Sequence, residues 1–151
     1  MLEIGTKAPA FALPDQTGTV RTLEQYRGRK LVLFFYAKDN TSGCTRQACG
    51  YGALYPQFTE KGAAVLGVSK DTAETHSKFA EKYGLPFPVL ADPDHTVLEA
   101  YDVWKEKKSA GKVTMATVRT TYLIDEEGII VAARGKVKAA EDPAQTLALL
   151  E

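Results

Sequence analysis

Leu31-Val32-Leu33-Phe34-Phe35-Tyr36 is apolar at every position, and it runs straight into Ala37-Lys38-Asp39-Asn40-Thr41-Ser42-Gly43-Cys44-Thr45-Arg46-Gln47-Ala48-Cys49. A strand with one wet face alternates apolar and polar residues; an unbroken apolar run is the pattern of a strand covered on both faces. From Gly43 to about Lys61 the chain reads as helix, so the polar break between the two is a strand-to-helix corner. Ala64 to Ser69 is the next buried strand. Asp71 or Thr72 can cap a helix that runs to about Tyr83 and stops at Gly84. Phe87 to Leu90 reads as a short strand, and Asp92-Pro93-Asp94 as a turn into a helix through Val97, Leu98 and Tyr101. Upstream, Phe11 to Val20 reads as a hairpin turned at Asp15 to Gly18, followed by one helical turn from Leu23 to Tyr26. Downstream, Arg119 to Ile124 and Ile129 to Ala133 form a second hairpin across Asp125-Glu126-Glu127-Gly128. Asp142-Pro143 then opens a last helix, with Pro at a favoured first position. Strand and helix alternate and a strand hairpin comes last. That order predicts an α/β fold with a mixed central sheet flanked by helices and an N-terminal β-hairpin extension. Trp104 to Thr117 is Lys-rich and lacks periodicity, and is expected to be a solvated surface loop.

The totals agree with one folded unit, expected to span residues 1–151. Hydrophobic residues at 44% and charged residues at 25% are ordinary globular values, which argues against disorder and fibrous classes. Lys plus Arg and Asp plus Glu are equal at 19 each, so there is no electrostatic case for nucleic acid or a membrane surface. No stretch approaches the length of a membrane span and Met1 to Lys7 has no signal-like apolar core, so a cytoplasmic protein is expected.

Cys44 and Cys49 are the only cysteines, too few for a secreted disulfide scaffold. Three readings of the pair compete. Both could be buried small hydrophobes, which suits Cys49 better than Cys44, flanked as the latter is by Ser42, Gly43 and Thr45. A metal site would need two further ligands, and His76 and His95 each stand alone in a polar context; no metal is expected. The redox reading fits best. A strand-to-helix corner can expose and aim a thiol, and unpartnered N–H groups with the helix dipole stabilise its thiolate. Five residues along an ideal helix separate Cα atoms by about 8–9 Å, whereas a disulfide needs them within about 7 Å. If both thiols lie on one intact helix, unwinding must precede a bond between them. Gly50 and Gly52 weaken such a helix, and Pro56 removes an N–H bond, although Pro56 equally fits a simple kink.

These residues resemble a known family. Thr41-Ser42-Gly43-Cys44-Thr45 followed by Gln47-Ala48-Cys49 is similar to the active site of peroxiredoxins of the bacterioferritin comigratory protein (PrxQ) type. Gly5 to Phe11, Gly67 to Asp71, His76, Phe79, Leu85 to Pro88, Asp92, Val103 to Lys107 and Arg119 to Asp125 extend the resemblance over nearly the whole chain. It implies a thioredoxin-like fold and reduction of hydrogen peroxide and organic hydroperoxides, with thioredoxin or a similar dithiol as electron donor. It implies no cofactor, and a monomer. Cys44 would be the peroxidatic nucleophile and Cys49 the resolving thiol, joined as an intramolecular disulfide. Thr41 would orient peroxide and Arg119 supply a fixed cation, with Gly43 and Ala37 bordering the substrate. The simpler roles are an N-cap for Thr41 and a surface salt bridge for Arg119. Two positions depart from the family pattern: Ala37 stands where a Pro is usual, and Gly52-Ala53 where an Arg-Asp pair is usual. A peroxide sensor or disulfide-exchange protein with weak peroxidase activity is the alternative, although its dithiol would ordinarily be spaced by two residues rather than four.

Overall fold

Lys30–Phe35 forms the middle strand of a five-stranded sheet in the computed structural model, which describes residues 1–150. In chain order the elements are β1 (Ala12–Pro14), β2 (Val20–Thr22), a 3-10 turn (Leu23–Tyr26), β3 (Lys30–Phe35), α1 (Ser42–Glu60) and β4 (Ala63–Ser69). They continue with α2 (Ala73–Tyr83), β5 (Val89–Ala91), α3 (Thr96–Ala100), β6 (Trp104–Ser109), β7 (Lys112–Thr117), β8 (Thr120–Ile124), β9 (Ile130–Arg134) and α4 (Asp142–Ala148). The sheet order is β5-β4-β3-β8-β9. β4 and β5 join in parallel, as their helical crossovers require, and β8 and β9 join antiparallel. The mixed sheet expected from the sequence is present, and β1 and β2 form the N-terminal hairpin beside it.

Side chains alternate across a strand, so β3 feeds two cores. Leu31, Leu33 and Phe35 pack with Leu66, Val68, Tyr122 and the α3 residues Val97 and Leu98. Val32 and Phe34, with Tyr36 just beyond the strand, pack with Ala48, Tyr51 and Phe58 of α1 and Phe79 of α2. Phe34 lies flat on Tyr51, with ring centroids 4.4 Å apart. Gly67 opposite it has no room for a side chain, since a Cβ there would lie 2.8 Å from the Phe34 ring. This aromatic layer clamps α1 to the sheet through Tyr51 and Phe58, in its middle and last turns.

Several boundaries follow the expected chemistry. Thr72 caps α2 by accepting from the Thr75 N–H at 3.2 Å, and Gly84 ends it in the left-handed conformation at φ 59. The expected loop from Trp104 to Thr117 is instead a hairpin, β6 paired antiparallel with β7. Its two-residue turn, Ala110-Gly111, has φ of 51 and 78, the doubly left-handed geometry that matches strand twist. Nearly all of its side chains are exposed, so no buried face imposed alternation on the sequence. Among the described residues no helix is long and apolar enough to cross a membrane.

Candidate active site

β3 ends at Phe35 and Tyr36 is fully buried, so residues 37–41 carry the chain from the sheet to α1, which starts at Ser42. Cys44 is the third residue of α1. The first rung of the helix is the Thr45 N–H bonded to the Thr41 carbonyl at 2.9 Å, so the N–H groups of Gly43 and Cys44 precede the ladder. The corner expected from the sequence is in place. The expected exposure of Cys44 is not: it is 1% exposed, and Cys49 is the more open of the two. The loop and Arg119 roof the sulfur over, which small polar neighbours such as Ser42 and Thr45 do not foretell.

Arg119, in the turn between β7 and β8, brings Nη2 to 3.3 Å from the Cys44 Sγ. Thr41 holds the N-cap position with extended backbone but does not cap the helix with its side chain; its hydroxyl donates to the Lys38 carbonyl at 2.9 Å. Burial, the largest influence on the Cys44 thiol, opposes ionisation. It is outweighed by the Thr41 hydroxyl, the Lys38 N–H, the Arg119 charge and the Ala37 N–H, and the thiol pKa falls below its ordinary value. The Thr41 hydroxyl has one hydrogen, so giving it to the thiolate means releasing the Lys38 carbonyl. Cys49 has no such donors, and burial alone pushes its thiol up. The two thiols are thus electrostatically unlike.

Arg119 is held by a residue the sequence reading did not assign. Its Nη1 donates at 2.7 Å to the Oε1 of Gln47, whose Nε2 donates at 3.0 Å to the Oδ2 of buried Asp142 at the start of α4. That carboxylate also accepts from the hydroxyls of Tyr51, Thr121 and Thr146 and from Arg134. The amide of Gln47 is therefore fixed in one orientation, oxygen toward Arg119 and nitrogen toward Asp142. Its position three residues after Cys44 puts both on one helix face, the only signal of this role in the sequence. Gly43 serves the same arrangement, because a Cβ there would lie 3.2 Å from Arg119 Nη2. Gln47→Leu should release the guanidinium and lower kcat/KM for peroxide about tenfold, roughly the worth of one hydrogen bond to a charged group. Steady-state kinetics with the parent thermal midpoint as control check it.

Cys49 lies on the same unbroken helix as Cys44, and both are free thiols. By helix geometry they are too far apart to bond without unwinding. Pro56 is inside α1 as expected. Gly50 has a second use: a Cβ there would lie 2.8 Å from Pro143, so its bareness lets α4 dock on α1. A Cβ at Gly52 would make only ordinary contacts, with Pro86 at 3.4 Å and Leu85 at 3.9 Å.

The histidines depart from the expected isolation. His95 stacks on Trp104, with centroids 4.0 Å apart. His76 is not alone in a polar setting but fully buried, its Nδ1 2.6 Å from the Asp39 Oδ2. Asp39, Asp71 and His76 bring three potential ligand atoms within 4.8 Å of one another. Hydrogen bonds from Tyr36, Ser69 and the Asp39 N–H, and one between His76 and the Leu90 carbonyl, already occupy those groups.

The chain as a whole resembles known proteins. The model of the AhpC/TSA family matches residues 4–133. Peroxiredoxin Bcp of Bacillus subtilis is 44% identical over 150 residues, covering 99% of this chain and 96% of that protein. Peroxiredoxin Bcp of Escherichia coli is 43% identical over 129 residues, covering 85% and 83%. Among solved structures, the Xanthomonas campestris bacterioferritin comigratory protein, described in terms of alkyl peroxide reduction, superposes with a TM-score of 0.90 at 40% identity over 93% of this chain and 89% of that one. A PrxQ variant of Xylella fastidiosa superposes with a TM-score of 0.94 at 34% identity, covering 99% and 96%. The chain belongs to the AhpC/TSA family, as a peroxiredoxin of the bacterioferritin comigratory protein type.

Proposed function

We propose that Cys44 reduces hydrogen peroxide and organic hydroperoxides, that Cys49 resolves the oxidised product, and that thioredoxin or a similar dithiol returns the enzyme to its starting state. The observation that carries this reading is the Cys44 sulfur at the start of α1, 3.3 Å from the Arg119 guanidinium. The thiolate attacks one peroxide oxygen, an S–O bond forms as the O–O bond breaks, and the electron pair leaves with the distal oxygen as alkoxide or hydroxide. Arg119, the Thr41 hydroxyl and the helix N–H groups face that developing charge. The leaving oxygen takes a proton from solvent, and sulfur, oxidised by two electrons, becomes a sulfenic acid. Cys49 then attacks that sulfur and water departs, leaving a disulfide. Two thiol–disulfide exchanges with the external dithiol restore both thiols. Since both cysteines belong to one helix, one chain suffices, and we take residues 1–151 as one domain acting as a monomer in a reducing compartment such as the cytoplasm.

The raised pKa of Cys49 suits a thiol that stays protonated until the helix opens. Ala37 permits an N–H toward the sulfur that a Pro could not supply, but leaves the loop backbone without a fixed φ. Mass spectrometry after one equivalent of hydrogen peroxide tests the scheme. The parent protein should lose two hydrogens, and Cys49→Ser should instead gain one oxygen atom. A parent protein that keeps the added oxygen while both thiols remain unlinked contradicts the resolving role. Oxidation without turnover in the presence of NADPH, thioredoxin reductase and thioredoxin marks a sensor rather than a peroxidase.

A further inference from the structure

We infer that Asp39 and His76, buried together beneath the loop that carries the donors to Cys44, are positioning residues that hold those donors against the sulfur. The inference rests on Cys44 as the reacting thiol and adds residues the reaction scheme does not use. Besides Arg119, the groups that favour the Cys44 thiolate all belong to residues 37–41: the backbone of Ala37 and Lys38 before Asp39, and after it the hydroxyl of Thr41, which rests on the Lys38 carbonyl at 2.9 Å. Asp39 is thus the midpoint of the cradle, and it is the one loop residue fastened to the protein interior at several points.

Its carboxylate side chain is fully buried. One oxygen accepts from the Tyr36 hydroxyl at 2.6 Å, and the other lies 2.6 Å from His76 Nδ1. Its own N–H donates at 2.9 Å to Asp71 Oδ2, itself held by the Ser69 hydroxyl at 2.7 Å. The fastenings come from the end of β3, from α2 and from the turn after β4. Asn40, next in the chain, takes the left-handed conformation at φ 64. Asparagine adopts that conformation more readily than other residues with a side chain, so the turn after Asp39 forms at little cost. Ala37 leaves φ unrestricted at the loop's other end, so the restraint on the cradle falls on Asp39.

The proton count makes the pair specific. The Leu90 carbonyl can only accept, so His76 Nε2, 3.0 Å from it, carries a hydrogen. A proton must also lie between Nδ1 and the Asp39 oxygen, since two lone pairs would repel at 2.6 Å. Whichever atom owns it, the pair is neutral overall, which is how two ionisable groups can be fully buried. The other titratable groups facing the pair are Tyr36 and Asp71.

Two substitutions separate the fastening from mere burial. His76→Asn keeps a donor where Nδ1 was, toward Asp39, and gives up the Leu90 carbonyl. His76→Gln keeps a donor where Nε2 was, toward Leu90, and gives up Asp39. Alkylation of Cys44 against pH, assigned by peptide mass, reads thiol acidity in the full-length reduced protein, alongside kcat/KM for hydrogen peroxide. The parent protein is read first, so an unreactive Cys44 there would fail the Cys44 assignment and not this inference. The expected result is that His76→Gln alkylates about tenfold more slowly below the parent midpoint, with the midpoint moved upward by about one unit. Its kcat/KM should fall by about as much, while His76→Asn stays within about threefold of the parent in both at a comparable thermal midpoint. Equal behaviour of the two variants, or the reverse order, overturns the inference.

Discussion

Cys44→Ser is expected to lower peroxide reduction at least about a thousandfold, to the level of the buffer reaction, with little change in stability. A serine hydroxyl placed among the same donors does not ionise near neutral pH, and its oxygen is a poor nucleophile toward a peroxide oxygen. The cradle would remain: Arg119 would still sit over position 44 and the Gln47–Asp142 bridge would be untouched. Nothing in that cradle can deliver two electrons, so the loss should appear in kcat and not in substrate affinity. Consumption of NADPH coupled to a thioredoxin system measures it, and retention of more than a few per cent of parent turnover would remove Cys44 from the central role.

Arg119→Ala should cost about 100- to 1000-fold in kcat/KM, the usual worth of one donor aimed at developing charge. Two effects combine. The guanidinium is among the groups that lower the Cys44 pKa, so its removal moves thiolate formation to higher pH. In the proposed reaction it would also face the oxygen that leaves with the electron pair. The first effect is recovered by raising the pH and the second is not, so a pH profile of the variant separates them. Arg119→Lys should recover only part of the loss. A lysine carries the charge but has no second nitrogen to hold Gln47 while pointing at the sulfur, as Nη1 and Nη2 do now. An alanine variant with parent-like rates would leave Arg119 as a structural bridge between α1 and β8.

How far the site can be read from the sequence depends on how local its causes are. β3 was legible because six successive apolar residues admit little but a strand buried on both faces, and the helix start followed from the polar break before Gly43. Thr72 and Gly84 mark α2 by cap chemistry that acts within a single turn. Arg119, Thr41 and Cys44 were named through the family resemblance, and the fold brings them together. The burial of Cys44 was missed because what covers it arrives from residue 119, far along the chain. His76 was misread for the same reason: its partner Asp39 is 37 residues away, and a lone histidine in a polar stretch gives no hint of it. Gln47 acquires its role only from two distant partners, Arg119 before β8 and Asp142 in α4. The β6–β7 hairpin failed differently. Both of its faces are largely wet, so backbone pairing and the left-handed Ala110-Gly111 turn hold it without any alternation of side chains.

One comparison exposes the whole account: the pH dependence of iodoacetamide reaction at Cys44 in the Cys49→Ser protein, read against the denatured chain. A folded protein that reacts with a midpoint clearly below the roughly 8.5 of a free thiol, while the denatured chain returns to that value, is the predicted result. A folded midpoint at or above that of the denatured chain would mean that burial wins over Thr41, Lys38 and Arg119 at this sulfur, and would contradict it.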